Sequence, residues 1–282
     1  MNENSAIDRG QTVVDKSRLS LNQITTEHWT AREAIEGCAR FGIPSIALWR
    51  HKIEETGLDA CVKLVRDAGL HVSSVCRGGM FTAATKLERL ERIEDNLRAI
   101  DQAASLQADS LVMVVGGTQG VPLDDARKMV FDGVASIVEH ARASGVCIGL
   151  EPLHPMFAGD RSVLNTIDQA LQIAMLYTPE DVGVVLDVIH IWWDPKLYAE
   201  IESARGRIVG FHVSDWLVPL PDILKCRGMM GDGVIEIKRI REAVDQTGYC
   251  GPIEVEILND EIWNRPPDQV VSQVIERFVS LV

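Results

Sequence analysis

The sequence predicts an α/β protein built as a single closed (β/α)₈ barrel. Three observations carry this. Short β-rich runs alternate with longer amphipathic stretches from Arg18 to the C-terminus, the rhythm of parallel strands joined by helical crossovers. Eight such units follow one another with no break in composition, and barrels of this kind need roughly 250 residues. No GxGxxG follows the first strand, so an open doubly wound sheet would lack its usual phosphate-binding turn. The expected division is a flexible or partner-bound arm over residues 1–17 and the barrel over 18–282.

The elements read in order. "RLSLNQI" (Arg18–Ile24) is the first strand, and Thr30 with Glu33 forms a capping box for the helix after it. "PSIALW" (Pro44–Trp49) is the second strand, with a helix over Leu58–Ala68 that stops at Gly69. "LHVSSVC" (Leu70–Cys76) is the third. The helix predicted over Lys86–Leu106 has Leu87, Leu90, Ile93, Leu97 and Ile100 at helical spacing. "SLVMVVGG" (Ser110–Gly117) precedes a helix over Leu123–Ala143. "VCIGLE" (Val146–Glu151) precedes one near Val163–Leu176, and "VGVVLD" (Val182–Asp187) one near Pro195–Ala204. "RIVGFHV" (Arg207–Val213) leads through a long loop to a helix over Ile237–Gln246. "PIEVEIL" (Pro252–Leu258) leads to a last helix from Asp268. Asp232, between glycines, is expected to cap the helix that follows it.

The chain has 282 residues, 46% hydrophobic and 24% charged, with a net charge of -13. That is enough apolar material for a large core, and the acidic balance argues against a nucleic-acid partner. The six scattered cysteines form no CxxC pair and read as reduced thiols. No apolar run is long enough to span a membrane, and "MNENSAIDRG" lacks the apolar stretch of a signal peptide, so a cytoplasmic protein is expected.

Alternate residues of a strand share a face. If the apolar face lies under the helices, Glu151, Asp187 and His212 point into the barrel at the C-terminal ends of strands five, six and seven, and Glu254 and Glu256 do so in strand eight. Glu256 lies nearer the end where such barrels hold their active sites, and Glu254 one layer deeper, suited to a structural hydrogen bond or buried ion pair. Converging carboxylates repel one another and would protonate without a cation among them. Three carboxylates and an imidazole suit one divalent ion: Mn²⁺ first, with Mg²⁺, Co²⁺ or Zn²⁺ as alternatives.

The motifs "LEPLHP", "LDVIH", "FHVSDW", "RGMMGDG" and "GPIEVEIL", in that order on successive strands, resemble the xylose isomerase-like TIM-barrel superfamily, the sugar (phosphate) isomerase and epimerase group. The resemblance covers about Leu19 to the C-terminus. It implies one divalent ion on Glu151, Asp187, His212 and Glu256, with Glu151 and Glu256 moving a proton beside the substrate carbonyl. His190 and Arg227 match positions that bind substrate oxygens. Arg77 and Trp49 end neighbouring strands at the same face and join them as substrate-binding candidates, although Arg77 could instead pair with a site carboxylate and Trp49 could be rim packing.

The spacing "EPLH" also resembles the metal-bearing subunit of C-glycoside deglycosidases, which cleave 3-oxo-glucosides. That likeness implies His154 as a base, a lyase outcome and a small second subunit. The plainer reading is that His154 caps its loop. The expected activity is therefore isomerisation or epimerisation of a sugar or keto-sugar, with the lyase as alternative and a metal-dependent endonuclease relative ranked lower. The expected partner is a small sugar-like substrate, and the expected assembly a homo-oligomer, or a hetero-oligomer in the deglycosidase case.

Overall fold

A computed structural model describes residues 15–282. The greater part of the expected N-terminal arm, residues 1–14, lies outside the described residues. Eight parallel strands close into a barrel in chain order: Leu19–Asn22, Ser45–Trp49, His71–Gly79, Ser110–Val114, Cys147–Leu150, Val182–Asp187, Ile208–Val213 and Ile253–Val255. The first and last pair directly, Leu19 opposite Ile253.

Strand alternation divides the apolar residues into an outer layer and an interior. Leu111, Ile148, Val184, Phe211 and Val255 face outward into one continuous core with helix residues such as Ile35, Ile100, Val134 and Ile240. Each such side chain contributes about 1.5–3 kcal/mol on full burial. Cys76, Val112 and Val185 form a separate cluster inside the barrel, joined by Trp49 and Val209. Above and beside them the interior is polar.

Val209 departs from simple alternation. The pairing between strands six and seven slips after Val184↔Ile208 and resumes at Val185↔Gly210. This bulge turns Val209 inward against Val185 although sequence alternation places it outward. Gly183 accommodates the bulge. A Cβ there would stand 2.3 Å from Val209 Cγ1 and 2.6 Å from the Arg207 carbonyl oxygen, too close for any larger residue.

Most helices fall where the sequence places them. The capping box of Thr30 and Glu33 starts Ala31–Phe41, and Gly69 ends Leu58–Ala68 in the left-handed conformation, φ 65°. The two long helices, before and after the fourth strand in the chain, are Lys86–Ser105 and Leu123–Ser144. Three short helices escape sequence reading: Arg50–Thr56, Asp260–Trp263, and Val188–Ile191, which Asp187 caps by accepting from the Ile189 N–H at 3.0 Å. Two expectations need correction. Leu87 and Leu90 are exposed, because the helix begins before it reaches the barrel wall; only its later apolar positions are covered. Asp232 caps no helix: it pairs with Arg277 at 3.2 Å, and Ile237–Gln246 starts without a side-chain cap. No helix among the described residues is long and apolar enough to cross a membrane.

Candidate metal centre and pocket

Glu151, Asp187, His212 and Glu256 meet at the C-terminal mouth, all buried, with one ligand-type atom of each within 4.8 Å of the others. Each arrives for a local reason. Asp187 and His212 are paired neighbours on strands six and seven. Glu151 and Glu256 follow the last residues of strands five and eight and are still held to the sheet, their N–H groups donating to the carbonyls of Met113 and Val213.

The imidazole of His212 lies between two layers of carboxylate. Its Nδ1 faces the mouth, 3.2 Å from Glu256 Oε2 and 3.7 Å from Glu151 Oε1. Its Nε2 faces inward, 3.2 Å from Glu254 Oε2, in a contact too bent to count as a hydrogen bond. Glu254 is anchored from below: Asn22 Nδ2 donates to Oε2 at 3.0 Å and Ser73 Oγ donates to Oε1 at 2.8 Å. A carboxylate behind a ligating histidine is the usual way its ring is oriented. In this arrangement Nδ1 is the ring atom turned toward the other carboxylates of the mouth, with Glu254 beneath the ring.

The same cluster contains a permanent cation. Arg227 Nη1 donates to Asp187 Oδ2 at 2.6 Å and to Glu256 Oε2 at 3.0 Å. Arg227 sits on a two-residue strand, Arg227–Gly228, paired with Asp215–Trp216. Asp215 holds the glycine-rich stretch beyond it, accepting from the N–H groups of Gly231 and Ile235 at 2.9 Å each.

The electrostatics fit a site short of positive charge. Burial, then Glu256, pushes the Glu151 carboxyl up to about 8. Burial raises Asp187 to about 6 despite Arg227. His212 would be lowered by burial, but Glu254, Glu256 and Glu151 outweigh it and lift the ring to about 10. Glu256 is opposed by burial yet held well below the carboxylate range by Arg227 and His212. One buried oxygen, Glu151 Oε1, has no hydrogen-bond partner among the described residues. An orphaned carboxylate oxygen beside three other ligand-type groups is what a divalent cation would satisfy, so the residues present fit such an ion.

Glu151 and Glu256 form part of a pocket walled by Trp49, Arg77, Phe157, Arg161, His190, Trp216 and Arg227. The four substrate-binding candidates, Trp49, Arg77, His190 and Arg227, thus meet around one space. Trp49 is fixed there by donating Nε1–H to Asn22 Oδ1 at 2.8 Å. His190 is buried, and burial followed by the Arg227 charge drives its basicity far below the usual imidazole value. Its Nε2 lies 3.4 Å from Arg227 Nη2, which can only donate. That contact assigns the ring proton to Nδ1, a buried atom without a partner among the described residues.

His154 lies beside this pocket rather than on its wall. It caps the turn Pro155–Phe157, Nδ1 accepting from the Met156 N–H at 3.2 Å, and its ring packs against Trp216 and Trp193 at centroid distances of 5.1 and 5.6 Å. Three residues of the site carry no sequence signal that distinguishes them: Asn22, Asp215 and Arg161. Asp215 lies within "FHVSDW", and its role emerges only when the loop it holds is folded back. Arg161 lies in an aperiodic loop.

Comparison with known proteins agrees with the fold. The sequence profile described as "Xylose isomerase-like TIM barrel" matches residues 35–281. The chain is 28% identical over 138 residues to the L-ribulose-5-phosphate 3-epimerase UlaE of Escherichia coli O1:K1, covering 49% of this chain and 45% of that one. The chain thus spans about half the length of that relative. A crystal structure of protein SMc04130 from Sinorhizobium meliloti superposes with a TM-score of 0.92 at 44% identity, covering 94% of this chain and 98% of that one. The IOLI protein, solved with a bound zinc atom, superposes with a TM-score of 0.83 at 20% identity over 94% of this chain and 98% of that one.

Proposed function

The chain belongs to the xylose isomerase-like TIM barrel family, and on that premise we propose that it is a divalent-metal-dependent sugar isomerase or epimerase. The observation that carries the reading is the convergence of Glu151, Asp187, His212 and Glu256 at the barrel mouth. The epimerase name of the E. coli relative and the zinc in the IOLI structure support it.

When bound, the ion supplies Lewis-acid polarisation of a carbonyl and its neighbouring hydroxyl. Manganese leads among the candidates, because oxygen-rich sites with one imidazole suit it. Arg227 holds the Asp187 and Glu256 oxygens in place through its two short contacts. His190 lines the pocket and is the residue assigned to hold a substrate oxygen there. Glu151 is the carboxylate without internal commitments, so it is the residue assigned to remove the proton beside the carbonyl. Glu256 stands as its partner for returning the proton. Return to the same carbon gives an epimer; return to the neighbouring carbon gives the isomer.

His154 takes a lesser part in this reading. A neutral imidazole whose Nδ1 accepts from Met156 carries its proton on Nε2 and is set as a donor, not a base. The deglycosidase-type lyase with His154 as base therefore ranks second.

The test is solvent exchange. Mn²⁺-loaded protein incubated with a ketose in D₂O is expected to place deuterium on the carbon beside the carbonyl, read by NMR, and Glu151→Gln is expected to abolish it. No exchange with any ketose or 3-oxo-glucoside would sink the reading.

A further inference from the structure

The proposed pocket is charged oppositely at its two ends. The deep end holds Glu151 and Glu256; the outer wall carries Arg77 and Arg161. Other arginines near the site are neutralised. Arg227 is locked to Asp187 and Glu256, and Arg50, next to Trp49, forms a two-pronged pair with Asp95 at 2.8 and 2.9 Å. Neither Arg77 nor Arg161 has an ion-pair partner among the described residues, and the buried Nε of Arg161 makes no hydrogen bond. Two half-buried guanidinium groups line one space with no carboxylate within ion-pairing distance, although the charge of Glu151 in the same pocket reaches Arg77. Burial, then the Arg161 charge, pulls Arg77 below the usual guanidinium value, so the pair repels as the pocket stands.

Arg161 is not a loose surface residue that happens to be nearby. Its N–H donates to the Phe157 carbonyl at 2.9 Å, and its carbonyl accepts from the Gly116 N–H at 2.8 Å. The next residue, Ser162, bridges to Gly116 beside the fourth strand. Arg77 lies within the third strand. Both backbones are thus fixed, and holding two cations close without a counter-ion is a cost that an anionic ligand would remove.

We propose that Arg77 and Arg161 form the anion subsite of this pocket, so that the substrate is a sugar derivative bearing a negatively charged terminal group, a phosphate ester or a carboxylate. This rests on the functional reading above. With the carbonyl end directed to Glu151 and Glu256, the charged end meets the two forks, whose geometry suits bidentate binding of either group.

The experiment uses the Mn²⁺-loaded full chain and three probes in isothermal titration: L-ribulose, L-ribulose 5-phosphate and D-fructuronate. One or both anionic probes are expected to bind at least about 10-fold more tightly than L-ribulose, the factor expected for a desolvated charge-assisted contact. Preference for the phosphate alone identifies an ester site, and preference for the uronate alone identifies a carboxylate site. Arg161→Gln is expected to cut that preference about 10-fold, with Arg161→Lys restoring part of it. Circular dichroism and metal content establish that the variants are folded and loaded. Equal binding of all three probes, binding of none, or an Arg161→Gln effect equal on the neutral and anionic probes would overturn the inference. Absence of deuterium exchange with the anionic preference intact would instead sink the proposed reaction and leave the subsite standing.

Discussion

Replacing Glu254 with glutamine separates its role from that of Glu256. Glu254 is almost wholly buried, accepts from Asn22 Nδ2 on one oxygen and from Ser73 Oγ on the other, and lies 3.2 Å from the His212 ring. Glutamine has the same shape and keeps one acceptor. With that acceptor turned to Asn22 and His212, its amide would face Ser73, whose hydroxyl can accept and instead donate to Ser20, 2.7 Å away. The fold is therefore expected to survive with a loss of about 1–2 kcal/mol, the difference between charge-assisted and neutral hydrogen bonds. The His212 ring loses the carboxylate that fixes it, which for such outer partners costs about 10–100-fold in metal affinity. Saturating Mn²⁺ should still give one ion per chain. Glu256→Gln removes a ligand outright and should fail to reach that stoichiometry. The assay is thermal unfolding together with Mn²⁺ titration followed by metal analysis. Equal metal loss in both variants would place Glu254 among the ligands, and an unchanged affinity in Glu254→Gln would show that it does not orient His212.

Further outcomes follow from the same geometry. Glu151→Gln, compared at equal bound Mn²⁺ because Glu151 is also a proposed ligand, should keep the fold and lower kcat by about 10²–10⁴, whereas His154→Ala should retain the metal and lose less than about 10-fold; comparable losses per bound ion would return the base role to His154. Arg227→Met leaves Asp187 and Glu256 without their internal cation, and chemical denaturation of the metal-free protein should show about 3–5 kcal/mol of destabilisation; a change below about 1 kcal/mol would contradict the pairing. Gly183→Ala pushes a methyl into Val209 and the Arg207 carbonyl, with an expected cost of about 1–3 kcal/mol by the same assay; wild-type stability would mean the bulge relaxes freely.

The barrel and the inward register of its catalytic-end residues are legible because strand alternation is a local property, and Glu151, Asp187, His212 and Glu254 each fall at an inward position when alternate residues are counted along their strands. Even the spacing between Asp187 and His190 has a local meaning: the carboxyl caps one helical turn and the histidine closes it. What alternation cannot give is long-range pairing. Arg227 and Asp187 are 40 positions apart, and their 2.6 Å contact depends on a two-stranded ribbon whose partner strands are two residues each. Asn22 reaches Glu254 across 232 positions through barrel closure. Val209 escapes because a bulge shifts register without leaving a glycine or proline at the shifted residue. Leu87 and Leu90 continue a helical stripe past the point where the barrel can cover it.

One ion is expected where the four strand-end residues converge, and anomalous scattering from crystals soaked in Mn²⁺ would locate it. The expected result is a single strong peak about 2.0–2.3 Å from a carboxylate oxygen of Glu151, Asp187 and Glu256 and from His212 Nδ1, with Glu254 beyond ligand distance. A peak that leaves Asp187 or His212 uncoordinated, a peak bound to Glu254, or no peak at this mouth would contradict it.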